Sequence, residues 1–171
     1  MARIHLIEGP VGAGKSTFAA QLHERHAAPR LILDDWMATL FRPDRPESGV
    51  MEWYGERKDR CVDQIWKAAC DIVEAGHDVV LELGLVQQSL RQQFYDRVDA
   101  AGYDLTVYVL DASREERRDR VRQRNRDKGD TYSMDVPDVF FEIASDMWQP
   151  LDDWECEGRD VRFIRTDDRR Q

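Results

Sequence analysis

Short apolar runs alternate with longer amphipathic stretches along this chain. The runs at residues 4–7, 31–33, 79–83, 105–110 and 161–164 are each bounded by polar or turn-forming residues, which predicts five strands. Between them apolar side chains recur at helical spacing: Phe18 and Leu22; Val62, Ile65, Ala69 and Ile72; Leu90, Phe94, Val98 and Ala101. Each stripe lays one apolar helix face against a sheet. Gly76 and Gly102 fall just past two of these stripes, where a residue free to adopt positive φ can close a helix. The alternation predicts an α/β fold with parallel strands and right-handed crossovers, and ligands in such folds bind beyond the carboxyl ends of the strands. Residues 43–49, PDRPESG, read as a loop.

Composition narrows the picture. At 171 residues and 42% hydrophobic, the chain is expected to form one domain spanning 1–171. Its 34 acidic residues outnumber 25 Lys plus Arg, for a net charge of -9, so no general attraction to nucleic acid or anionic membranes is expected. Any anion site must be local. Cys61, Cys70 and Cys156 lack the spacing of a zinc site and read as reduced thiols. Neither a signal peptide nor a long apolar span is evident, and a cytoplasmic protein is expected. His5, His23, His26 and His77 share no helical face with acids or cysteines, and no metal or catalytic role is expected of them.

The segment GPVGAGKS at residues 9–16 satisfies GxxxxGK[ST] and sits between an apolar strand and an amphipathic helix, where a phosphate-binding loop belongs. Gly9, Gly12 and Gly14 let the backbone curl so that N–H groups, including that of Ala13, and the following helix N-terminus face one set of phosphate oxygens. Lys15 brings a mobile positive charge to the β- and γ-phosphates. Ser16 can complete a magnesium shell, and Thr17 closes the loop.

The second strand runs into Asp34 and Asp35. In a strand their side chains alternate, so only one should face the transferred phosphate, and Asp34 is the expected catalytic carboxylate. Asp35 could cap the helix starting near Trp36. With Trp36, Trp53 and Tyr54 it could instead wall an acceptor pocket. Glu82 lies inside an apolar run, where a charge needs a partner. It is expected either to reach magnesium or to be a half-exposed carboxylate at a sheet edge. Residues 114–128 hold seven arginines and four acids, mostly a solvated helix with pairs such as Glu116 and Arg120. Arg120 and Arg124 share a face and precede a polar segment, so a lid over residues 120–134 is expected.

These residues together resemble the small P-loop kinases related to the kinase domain of phage polynucleotide kinase, chloramphenicol phosphotransferase and zeta toxins. The closest likeness is to the bacterial AAA family ATPase/predicted kinase group. The resemblance runs through GPVGAGKST, LDDWMATLF, EWYGERKDR, VVLELGL and RVRQRN and ends near FFEIASDMWQPLDDWE. It implies a P-loop NTPase sheet in the order 2-3-1-4-5, Asp34 as acceptor of the hydroxyl proton, and Arg120 with Arg124 as lid residues on the nucleotide. It also implies ATP or GTP with Mg2+, and transfer of the γ-phosphoryl group to a small-molecule hydroxyl. A 5'-hydroxyl nucleic acid kinase is an alternative, although Met37 stands where the polynucleotide-kinase pattern carries Arg. A nucleotide-binding switch or assembly ATPase is the alternative of another class.

Overall fold

A computed structural model describes residues 1–130, 132 and 134–167. Five strands form one sheet: β1 (Arg3–Glu8), β2 (Arg30–Ile32), β3 (Val79–Glu82), β4 (Asp104–Asp111) and β5 (Asp160–Arg165). They lie in the order β2-β3-β1-β4-β5, and every pairing is parallel. Parallel neighbours need crossovers, which are supplied by α1 (Lys15–His26), α2 (Leu33–Leu40), α3 (Val50–Glu74), α4 (Gln88–Ala101) and α5 (Arg114–Asp127). Two more helices, α6 (Asp138–Met147) and the short α7 (Asp153–Cys156), lie between α5 and β5.

Strand alternation divides the core into two layers. Ile4 and Leu6 of β1 pack on one face with Cys61, Ile65, Ala69 and Val73 of α3 and Phe94, Tyr95 and Val98 of α4. Ile7 turns to the other face and meets Phe18, Ala19 and Leu22 of α1 together with Tyr108 and Leu110 of β4. The buried α3 residues are spaced four apart, so one narrow stripe seats a 25-residue helix. Gly102 closes α4 at φ 69°, the left-handed conformation its position after the stripe suggested.

The exit from β2 differs from the strand expectation. β2 ends at Ile32 and α2 begins at once, so Asp34 and Asp35 occupy the first turn of a helix and do not alternate across a strand. Leu33 and Met37, four apart and both buried, hold α2 against the core and fix this early start. Two carboxylates in a first turn also suit the positive end of the helix dipole. Asp35 is not the cap: that position is Ile32, and no side chain caps α2.

Candidate active site

The loop between β1 and α1 is shaped by contacts that leave no room for side chains. A Cβ on Gly9, at φ 149°, would lie 2.3 Å from the carbonyl oxygen of Leu110 in β4, and one on Gly12, at φ 79°, would lie 2.6 Å from that of Arg117 in α5. Glycine is therefore required by positive φ and by backbone approach together. Ala13 is buried and its N–H donates to the Pro10 carbonyl at 3.2 Å, closing the turn. Gly14 precedes α1, and no side chain among the described residues caps the helix, so its first N–H groups are left without a side-chain acceptor.

Lys15 Nζ donates to the carbonyl oxygens of Gly9 and Pro10, both at 2.9 Å. Burial pulls its pKa below the usual lysine range, opposed by the negative charges of Glu82 and Asp34. Ser16 is half-buried in the first turn of α1, and Thr17 is exposed beside it.

Glu82 is the last residue of β3 and stands opposite Ile32 of β2, only 8% exposed. The strand ends here and does not continue through Leu83, so the carboxylate is at the carboxyl edge of the sheet, beside the central strand β1. Its Oε2 is buried without a hydrogen-bond partner among the described residues. Burial pushes its pKa to about 7; Lys15 and Arg124 oppose the rise, while Asp34 and Asp35 add to it. Asp34 itself is exposed, and its charge is felt at Lys15, Glu82, Asp35 and Tyr54. Five groups from four segments of the chain thus share one field: Lys15, Asp34, Asp35, Glu82 and Arg124.

The two α5 arginines have different surroundings. Arg120 donates from Nη1 to Thr166 Oγ1 at 2.8 Å, from Nη2 to the Thr166 carbonyl at 2.6 Å, and pairs with Glu116 at 3.3 Å. Its Nη1 also borders Gly14. Thr166 in turn donates from its hydroxyl to the Ala13 carbonyl at 3.0 Å, so Arg120 braces the phosphate loop. Arg124 Nε is buried without a partner among the described residues, and its charge reaches Lys15 and Glu82. Of the lid span 120–134, residues 120–127 are the helical end of α5, and Asn125 joins both backbone groups of Val136 across the following turn. Thr131 and Ser133 lie outside the described residues.

The proposed acceptor-pocket residues are spread over α2 and α3. Trp36 and Tyr54 are partly buried against the larger core layer, and Tyr54 feels both Asp34 and Arg42. Trp53 is half-buried, with the Arg57 guanidinium 4.5 Å above its ring.

Sequence reasoning missed two supports of the loop. Arg117 is buried, and it donates to the Val11 carbonyl at 3.0 Å and to Ser145 Oγ at 3.1 Å, tying the loop to α6. Glu8, immediately before the loop, is buried with Tyr95, Arg91 and Glu155. Arg91 and Glu155 form a bidentate pair at 2.6 and 3.0 Å, whereas Arg91 lies 4.0 Å from Glu8. The nearer carboxylate takes the guanidinium charge, and burial pushes Glu8 to about 8. The signals were an arginine inside an apolar helical stripe and a glutamate ending an apolar strand.

Among the described residues no helix is long and apolar enough to cross a membrane. A candidate kinase from Chloroflexus aurantiacus J-10-fl superposes with TM-score 0.72 at 15% identity, covering 96% of this chain and 85% of that one. Chaetomium thermophilum Kti12 in complex with ADP-AlF3 gives 0.66 at 15%, covering 96% and 90%. A sugar kinase from Janibacter sp. HTCC2649 gives 0.64 at 14%, covering 96% and 86%. No curated protein matches the chain. The AAA domain family matches residues 4–139, most of the chain's length, and with a glycine-rich loop at the carboxyl edge of a 2-3-1-4-5 sheet the chain belongs to that family and has the P-loop kinase fold.

Proposed function

We propose that the chain is an ATP- or GTP-dependent phosphotransferase that moves the γ-phosphoryl group to a hydroxyl of a small molecule such as a nucleoside, a sugar or an antibiotic-like compound. One observation carries this reading. Lys15, Asp34, Glu82 and Arg124 share one field beside the glycine-rich loop, and Glu82 Oε2 and Arg124 Nε are buried there without hydrogen-bond partners among the described residues. Buried polar atoms are nearly always paired, so two orphans beside an anion cradle fit a polar ligand.

The loop N–H groups and the α1 N-terminus hold the β- and γ-phosphates, and Lys15 exchanges its two carbonyl partners for phosphate oxygens. Asp34 orients the acceptor hydroxyl. The hydroxyl oxygen of the acceptor forms a bond to the γ-phosphorus as the bond from phosphorus to the β,γ-bridging oxygen breaks. The bonding pair leaves on the nucleoside diphosphate, and the hydroxyl proton passes to Asp34. Arg124 meets the charge that spreads over the phosphoryl oxygens, and Arg120 keeps Ala13 and Gly14 in place through Thr166. Ser16 and Glu82 are the residues that would hold magnesium; Glu82 Oε2 has no hydrogen-bond partner among the described residues. When bound, the ion would supply positive charge that offsets the charge of the transferring phosphoryl group. Asp35, Trp36, Trp53 and Tyr54 shape the acceptor side. The kinases of like fold support the reading by analogy of fold. The acidic net charge supports a small acceptor over a nucleic acid.

The test is acceptor-stimulated ADP release, screened with hydroxyl compounds that include nucleosides, sugars, aminoglycosides and a 5'-hydroxyl oligonucleotide. A sharp rise with one small molecule, lost in Asp34→Asn, is expected. Stimulation by the oligonucleotide alone would favour the nucleic acid kinase. Turnover indifferent to every hydroxyl would favour a switch.

A further inference from the structure

On the α1 side of the sheet, about 10 Å back along β1 from Glu8 at the strand rise of ~3.3 Å per residue, three side chains converge. His5 comes from β1, His26 is the last residue of α1, and Asp78 immediately precedes β3. One ligand atom from each lies within 4.8 Å of the other two. Asp78 Oδ2 is 2.9 Å from His5 Nε2 and 3.5 Å from His26 Nδ1, and the two imidazole centroids are 4.3 Å apart. No shared helical face links these residues in the sequence; the sheet and the end of α1 bring them together.

We propose that His5, His26 and Asp78 form a binding site for a divalent transition-metal ion of the zinc type, separate from the nucleotide site. Ligand atoms at ~2.0–2.1 Å around a tetrahedral ion are about 3.3 Å from one another. The two distances from Asp78 Oδ2 bracket that spacing, so small side-chain shifts suffice. Two imidazoles with one carboxylate suit zinc, cobalt or nickel and not magnesium or calcium. The fourth position opens to solvent, since the Asp78 and His26 side chains are 23% and 30% exposed.

The surroundings already orient the ligands. His5 Nδ1 lies 3.2 Å from the Tyr108 hydroxyl, which can accept from Nδ1–H and so leave the Nε2 lone pair for the ion. Asp78 Oδ1 accepts from the Arg3 backbone N–H at 2.9 Å, which turns Oδ2 toward the two rings. The ion would staple β1 and β3 to the far end of α1, the strand and helix that enter and leave the phosphate loop.

The experiment titrates the full, nucleotide-free chain with Zn2+ by calorimetry and with Co2+ by visible absorption. One ion per chain is expected, with a tetrahedral cobalt spectrum, no thiolate charge-transfer band and a raised thermal midpoint with zinc. His26→Ala and Asp78→Asn should lose this binding while circular dichroism stays unchanged, and Tyr108→Phe should weaken it ~10–100-fold. Glu82→Gln should retain it, which separates this site from the phosphate site. His5 is buried, so His26→Ala is the deciding variant. Absence of saturable zinc binding, zinc affinity unchanged in His26→Ala, or a thiolate band in the cobalt spectrum each overturns the assignment.

Discussion

Ile32 stands opposite Glu82 in the parallel β2–β3 register, so the chain leaving β2 delivers Asp34 just beyond the level of the Glu82 carboxylate. Two acids from adjacent strand ends thereby act on the same lysine. Their surroundings differ: Glu82 is buried and Asp34 is exposed. A buried acid can hold a metal shell, and an exposed one can receive an acceptor.

The paired aspartates give the sharpest test. Asp34→Asn keeps the side-chain shape but removes proton-accepting capacity, so transfer should fall roughly 10²- to 10⁴-fold with little change in ATP affinity. Asp35→Asn removes neither a cap nor a buried bond. It should keep most turnover and shift stability by less than about 0.5 kcal/mol. Acceptor-dependent rates and urea midpoints of both variants check this. A dead Asp35→Asn beside an active Asp34→Asn would reverse the assignment.

Lys15→Ala removes a charge held by two loop carbonyls and little core volume. Turnover should fall at least ~10²-fold, the loss expected for one donor to a developing anion, with the circular dichroism spectrum intact. Near-normal turnover in the folded variant would sink the assignment of this loop.

Arg124→Ala should lower turnover more than ground-state ATP affinity if its guanidinium, whose Nε has no partner among the described residues, meets charge that develops in transfer. Arg126, on the exposed face, is the control. Equal small effects from the two would make Arg124 a surface residue in function.

Stability should depend on Glu8. Its pKa is raised from 4.5 to about 8, first by burial, so between these values the folded state binds a proton that the unfolded state has lost. Stability therefore falls as pH rises from about 5 to 8. Glu8→Gln, which mimics the protonated acid, should flatten that slope. Urea midpoints at pH 5 and pH 8 measure it, and an unchanged slope would place the titration elsewhere.

Arg91→Met leaves Glu155 buried without its bidentate partner. A loss of about 3–5 kcal/mol is expected from denaturant unfolding, and a smaller one in the double variant Arg91→Met with Glu155→Leu. Additive losses would argue against coupling.

What the sequence determined by itself was whatever depends on local pattern. Five apolar runs placed five strands, glycine spacing before Lys15 and Ser16 placed the tight loop between β1 and α1, and the stripe through Ile65 and Ala69 placed the long helix. Each of those signals lies within one turn or one strand. Tertiary structure decided what depends on residues far apart in the chain. Asp34 entered a helix because Leu33 and Met37 found a buried seat. Arg120 became a brace because β5 carried Thr166 to its side, 46 positions away, while Arg124 four residues on met no partner for Nε among the described residues. His5 met Asp78 across 73 positions for the same reason. Composition reports which charges a chain has, but their solvation and partners are set only when the sheet brings its strand ends together.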